Sequence, residues 1–504
     1  MKDSAQRKLG AILSYVSIFA STLVQLLYTP FLIKMLGPSE YGLYSLIASV
    51  IGYLTVLDLG FGNAIVVYTA KYRAQGKLEE EKKLHGMFKI IFYIIGIVAF
   101  LLGMVLYFNV DILFGTTMTE FELEEAKIMM LILSFNLLIT FSFNIYQSII
   151  TANEKFIFQK VMAILNTILK PIIMIPLLFL GFKSISMTLV LTFVNSIVLL
   201  SNYLYCRKNL NIKIKYNGFD KKIFKIIFGY SFFIFLGVIV DKINWSVDQT
   251  ILGIVSGTVA VSIYSVASTL NTLFINLSTA VSGVMLPKVS KMIANKVSSE
   301  ELTNEMIKVG RIQFYIIFLM VTGLILFGKE FIIWWVGNGF EDAYYVALWL
   351  IIPISFPLIQ NMGLSIMQAM NKYKFKAIST AVMAIANIFI SYFLAKQYGP
   401  IGCAVGTAIA LIVCNIILIN IYYYKVIKLD VIKFWKEIFK MIICYVPVIV
   451  IMLVIMYFID ITGLLNVIIY GIIYTLMYVF VSYFITMNNY EKDLINKVLK
   501  KVKR

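Results

Sequence analysis

LGPSEYGLYS, residues 36–45, returns 220 positions later as SGTVAVSIYS, residues 256–265, pairing Gly37 with Gly257, Tyr44 with Tyr264 and Ser45 with Ser265. Each copy opens an apolar stretch that directly follows another. A second echo sets YQSIITANEKF (146–156) against MQAMNKYKF (367–375), with a small gap. Each of these segments ends a helix four places into its half. Near-equal offsets at equivalent positions read as an internal duplication. Six crossings separate the copies, so both halves keep one direction and the repeat is parallel, about an axis along the membrane normal.

Around these motifs about fourteen apolar stretches alternate with short hydrophilic joints: 9–33, 41–67, 86–110, 126–151, 157–181, 184–206, 224–252, 257–287, 308–328, 343–370, 375–396, 400–424, 434–459 and 462–487. Each holds a run near the ~20 apolar residues that cross a bilayer. The longer ones allow tilt or a helical extension beyond it. The chain has 504 residues, 61% hydrophobic and 14% charged, with a mean hydropathy of +0.89. That composition excludes a soluble globular chain with a polar surface. The expected fold is an all-α integral membrane protein of about 14 transmembrane helices. Two parallel six-helix lobes, 1–215 and 216–430, are followed by 431–504, which holds helices thirteen and fourteen and a basic cytosolic tail.

Charge orients the chain. The net charge of +18 on its own suggests nucleic acid, but its distribution rejects that partner. If the amino terminus is cytosolic, the joints on that side hold 37 of the 44 Lys and Arg, against 13 acids. The opposite side holds only Lys34, Lys127, Lys183, Lys329 and Lys396, against 10 acids. Such an excess in short loops is the positive-inside signature, and an even helix number places both termini in the cytosol of a plasma (inner) membrane protein. Anionic membrane lipids meet part of the basic surplus.

The first helix has too long an apolar run, and no small-residue site after it, to be a cleavable signal. The outer segment DILFGTTMTEFELEE (111–125) is acidic. The cytosolic joints 68–85, 207–223 and 288–307 are expected to extend neighbouring helices. The tail after Asn488 reads as an amphipathic helix on the inner surface. Cys206, Cys403, Cys414 and Cys444 lack disulfide or metal spacing and read as packing residues.

No acid pair, serine elbow, P-loop or metal-ligand cluster marks an enzyme, a metal site or a cofactor. The single histidine, His85, reads as a solvated loop residue, and Trp334 and Trp335 as interfacial aromatics. Charges inside the apolar stretches are costly, and by default they line a polar cavity. The richest stretch is GVIVDKINWSVDQTILG, 237–253. There Asp241, Lys242, Asn244, Trp245, Asp248 and Gln249 occupy an arc of roughly 160° on one helix face. By helical rise Asp241 lies ~25 Å and Lys170 ~20 Å into their helices from the cytosolic side. Pro171 is expected to kink the helix beside Lys170, and an anionic group would be received there. The bland alternatives are pairing within the bundle for Asp241 and Lys242, an interfacial place for Asp248, and snorkelling for Lys170. Asp58, in LDLGFGNA (57–64), serves either gating or helix capping.

LGPSEYGLYSLI with LDLGFGNAIVVYTAKY resembles the opening of the oligosaccharide (O-antigen type) flippases. SVDQTILGIVSGTVAVSIYSVAS (246–268) and VMLPKVSKM (284–292) are similar to their second-half signature. The resemblance covers essentially the whole chain and extends to the superfamily that holds the multidrug/toxin extrusion (MATE) transporters and the peptidoglycan lipid-intermediate flippases. It implies a MATE-like fold and transport of a polyprenyl-pyrophosphate-linked oligosaccharide from the inner to the outer leaflet. Partner enzymes would then be a glycan polymerase and glycosyltransferases. A cation-coupled exporter of the same fold stays open, with an acid-dominated cavity as its expected sign. A polysaccharide polymerase or ligase would need a large catalytic outer loop, which this chain does not offer.

Overall fold

The computed structural model describes residues 3–212, 214, 218–282, 285–459 and 463–502. Among them the chain is helical with no strand. The first half runs α1 (Asp3–Leu36), α2 (Pro38–Gly52), a 3-10 turn (Tyr53–Asp58), α3 (Phe61–Ala74), α4 (Leu78–Phe108), α5 (Val110–Phe114), α6 (Glu120–Ala152), α7 (Phe156–Phe179) and α8 (Ser184–Lys208). The second runs α9 (Lys221–Val255), α10 (Gly257–Ser282), α11 (Met285–Ala294), α12 (Ser299–Val336), α13 (Glu341–Ile359), α14 (Asn361–Ala369) and α15 (Lys374–Leu411). It continues in π-helical and α-helical turns, α16 (Ile419–Tyr422) among them, to Ile427. Three helices follow: α17 (Val431–Phe458), α18 (Gly463–Val481) and α19 (Asn489–Val502).

Twelve helices among the described residues are long and apolar enough to cross a membrane. One of them, Lys374–Ile427, is 54 residues long. Its backbone leaves helical geometry at Gly399 (φ 56, ψ −135), just before Pro400, so two helices meet there end to end. Side chains such as Ile94, Leu101 and Val105 on α4, and Phe389 and Phe393 on α15, are exposed. In water these rows would collapse; in hydrocarbon they are the favourable surface, and the helices satisfy their own backbone groups.

The duplication is written in the turns more plainly than in the residues. Gly37 (φ 85) and Gly257 (φ 81) start α2 and α10 alike. After α3 the amides of Gln75, Gly76 and Lys77 donate to the carbonyls of Lys71, Arg73 and Tyr72. After α11 those of Asn295, Lys296 and Val297 donate to Lys291, Ile293 and Met292, each 220 residues on. The turn ending α6 (Asn153, Glu154 and Lys155 to Ile149, Thr151 and Ile150) recurs after α14 as Met370, Asn371 and Lys372 to Ile366, Gln368 and Met367, 217 on. Ile212 to Cys206, at 3.0 Å, recurs as Leu429 to Tyr423, also 3.0 Å. These are helix C-caps with a left-handed residue satisfying the last carbonyls. Glu154 (φ 55) and Asn371 (φ 56) supply it in one pair, Asn211 (φ 54) and Lys428 (φ 68) in another.

Contacts divide the chain into two compact units, Met1–Ser265 with Ala395–Pro400, and Val266–Leu394 with Ile401–Arg504. In the first unit α6 is the central post, packed by α2, α3, α4 and α8, with Leu43, Leu46, Phe88, Met129 and Met130 buried around it. Burying one such side chain contributes roughly 1.5–3 kcal/mol in water; within a bilayer the same contacts act through close packing. In the second unit α12 is packed by α13, α17 and α18. There the Tyr445 and Tyr478 rings stack at 4.3 Å beside Phe314 and Phe318. The amphipathic tail forms as α19, and its Glu491 is buried against Arg311 of α12.

Two expectations change. His85 is not solvated: it lies buried in α4, its Nε2 2.9 Å from the Thr69 hydroxyl, because α4 begins at Leu78 and packs on α3. Trp334 is half exposed, but Trp335 is buried and stacks on Phe331 at 5.7 Å. The helix α7 runs on through Pro171 and Pro176. Cys206, Cys403 and Cys414 are buried and unbridged, and Cys444 is partly so.

Candidate functional site

The polar face of α9 packs within the first unit against α2 and the 3-10 turn. Ser49 of α2 donates to the Ser246 carbonyl at 2.8 Å, and the Tyr53 hydroxyl lies 3.3 Å from that of Thr250. Asp248 is buried and accepts from the Tyr264 hydroxyl, while Gln249 donates to the Ser265 hydroxyl at 3.1 Å. Tyr264 and Ser265 are the repeated pair of the sequence motif, so the second copy of that motif holds the stripe on α9. In the first half Tyr44 neighbours Tyr28, 220 residues before Asp248. Asp248 stands where the first half carries a phenol.

Lys242 is half-buried, with its Nζ 3.7 Å from the position a Cβ would take on Gly52. The side chains of Asp241 and Asn244 lie outside what the structure describes. Lys170 is half-buried in α7, which packs mainly on α1 and α8 rather than on α9. Neither lysine has a hydrogen-bond or ion-pair partner among the described residues. Among the described residues neither ammonium gains a counter-charge for the water it has lost, a state that a bound anion would relieve.

Asp58 ends the 3-10 turn, and its carboxylate faces the amides of Gly60 and Gly62 at the start of α3. Asn144 of α6 donates to it at 2.8 Å. A carboxylate over a helix N-terminus satisfies orphan N–H groups and meets the positive end of the dipole. Asp58 lies two residues ahead of Gly60, the N-cap position of α3, and faces the start of that helix.

Sequence reading overlooked a cluster where α2, α6 and α10 begin. Thr119 and Glu122 form a capping box on α6, legible as T-x-x-E. The Glu122 carboxylate also accepts from Ser39, at 2.5 Å, and from Thr258, at 2.7 Å. Those hydroxyls are the second residues of α2 and α10, the two repeat-related helices, so one acid sits at both N-termini. One turn further, Glu125 joins Glu40 of α2, whose Oε1 is 3.1 Å from Lys183 Nζ. At the other end Arg73 bonds Glu81 and Asn153, joining α3, α4 and the end of α6. Apart from Glu122 in its T-x-x-E box, these acids fall in the first two turns of their helices and carry no spacing signal that separates them from solvated ones.

Residues 9–293 match the family model described as polysaccharide biosynthesis protein. A Shigella flexneri protein named as an O-antigen transporter is 22% identical over 405 residues, 80% of this chain and 94% of that one. The structure is similar to lipid II flippase MurJ in an inward closed conformation, with TM-score 0.73 and 21% identity, covering 97% of this chain and 99% of that chain. It also resembles an inward-facing multidrug resistance MATE family transporter of the MOP superfamily, with TM-score 0.64 and 15% identity, covering 80% and 96%. The fold is thus that of MATE and MurJ proteins. The model match spans more than half of the residues, and the chain belongs to the polysaccharide biosynthesis protein family.

Proposed function

We propose that the protein is a flippase that carries a lipid-linked oligosaccharide from the inner to the outer leaflet by alternating access, for surface polysaccharide assembly. The observation that carries the reading is the family match over residues 9–293, which takes in both halves of the signature. The charge inventory agrees with it. Both described aspartates within the spans, Asp58 and Asp248, are engaged by protein donors, whereas Lys170 and Lys242 have no partner among the described residues. Among the described residues what is left over is positive, and it suits a pyrophosphate or another anionic head group better than a cationic drug. Flipping such a head unaided means taking a polyanion through hydrocarbon; a hydrated site with fixed cations offsets that desolvation.

On this reading the twelve apolar helices, the division at Gly399 and the 35-residue α9 together make fourteen crossings. Six-helix lobes at 1–215 and 216–430 rock against each other, and 431–504 is an appendage. Both termini lie in the cytosol, a reading that the basic joints support, and the protein lies in the plasma membrane. Glycosyltransferases supply the substrate and a glycan polymerase consumes the product. The test is purified protein in liposomes containing a fluorescent polyprenyl-pyrophosphate saccharide, followed by quenching from outside. Flipping above protein-free vesicles is expected. Equal rates in both, with a cationic dye exported instead, would favour the MATE-type alternative.

A further inference from the structure

Glu40 and Glu125 come from different helices, the first turn of α2 and the second turn of α6. Both are more than nine-tenths buried, at 8% exposure each. The Glu125 carboxyl lies within hydrogen-bonding reach of Glu40. Around the pair the structure offers few donors. Lys183, ahead of α8, reaches Glu40 Oε1 at 3.1 Å but is itself half exposed, and the Ser184 amide faces Glu40 Oε2 at 3.4 Å. The fully buried Ser184 hydroxyl lies beside Glu125, and neither it nor Glu125 Oε2 completes a hydrogen bond of good geometry among the described residues. The next acid along α6, Glu122, is occupied by Ser39, Thr258 and Thr119 and supplies no proton. Lys127 is turned to Asp111. One cation therefore serves two buried carboxylates, leaving a net charge of −1.

We propose that Glu40 and Glu125 are a proton-binding site, in which the two carboxyl groups share one proton and thereby fasten the outer end of α2 to α6. Like charges in contact cannot both ionise in a buried place, and such a pair binds a single proton that belongs to both groups. The proton converts Glu125 into a donor toward Glu40, which satisfies the orphaned oxygen and cancels the excess charge. Once it leaves, two anions face each other across the helix contact and separation relieves them. The neighbouring residues, Ser39 and Glu122, are the clasp on Thr258, so the loss of the proton also loosens the grip on α10. Stability at this end is present at low pH and declines as pH rises.

Infrared difference spectra between the wild type and Glu125→Gln in lipid nanodiscs at neutral pH read the proton directly. A protonated-carboxyl C=O band present in the wild type and absent in both Glu125→Gln and Glu40→Gln is expected. The wild-type thermal midpoint is expected to fall between about pH 6 and about pH 9, while that of Glu125→Gln stays level. An unchanged band in the variants, or identical pH profiles, overturns the proposal. Should neither glutamine variant fold, Lys183→Met keeps both carboxyls and removes the cation. The pH at which the wild-type band disappears must then rise; if it does not move, the shared proton is excluded. None of these readouts depends on which substrate is transported.

Discussion

Gly42 of α2 and Thr258 of α10 touch backbone to backbone: a Cβ on Gly42 would fall 1.8 Å from the Thr258 carbonyl oxygen and 3.2 Å from the Ser262 nitrogen. A polypeptide carbonyl cannot swing aside as a long side chain can. Gly42→Ala is therefore expected to cost at or beyond the upper end of the about 1–3 kcal/mol typical of overpacking, read as a lower thermal midpoint. If the contact closes the outer end during transport, the same variant raises labelling of a Cys at the buried Ser262 by an external thiol reagent. Unchanged labelling with lowered stability would make Gly42 a packing residue alone.

Lys170 and Lys242, without a partner among the described residues, are the cations to which the substrate reading points. Lys170→Ala and Lys242→Ala are each expected to abolish surface polysaccharide export while protein abundance in the membrane stays near wild type. Arginine at either position should retain part of the activity, because the charge is kept though the geometry changes. Wild-type export by both alanine variants would remove these residues from the site.

At Asp58 the cap and the gate give different patterns. Loss of a helix cap typically costs about 1 kcal/mol. Asp58→Ala should show that loss, and Asp58→Asn, which keeps an acceptor for the α3 amides and for Asn144, should show little. Export by the Asn variant close to wild type is the expected result. A stable but inactive Asn variant would mean that the charge itself takes part in transport.

The tail helix is held by a buried pair. Arg311 donates to both Glu491 oxygens, at 2.6 and 2.9 Å, and to the Thr486 carbonyl at 2.7 Å, while Tyr315 donates to Glu491 at 3.1 Å. Removing one partner of a buried pair costs about 3–5 kcal/mol because the other charge is left unpaired. Glu491→Leu should expose α19 to trypsin at Lys492. The double variant Arg311→Met with Glu491→Leu should recover much of the protection. Equal cleavage of all three proteins would show that the ion pair does not hold the tail.

Much of this protein is fixed by composition and order alone. Hydrophobic runs near twenty residues mark membrane helices, because backbone groups in hydrocarbon must be satisfied within the segment, and the one-sided lysines and arginines point to an orientation. The duplication was visible at 36–45 with 256–265 and at 146–156 with 367–375, but its register came from the turns: Glu154 and Asn371 take the same left-handed position by hydrogen-bond pattern although the residues differ. Helix ends likewise depended on contacts, as at His85, which became a buried partner of Thr69 when α4 reached back to Leu78. Which charges are occupied was decided by tertiary structure only. Lys170 and Asp248 are equally anomalous in an apolar sequence. They differ because Tyr264 packs on one and no described residue reaches the other, and the energy of a buried charge is set by the groups within a few ångströms of it.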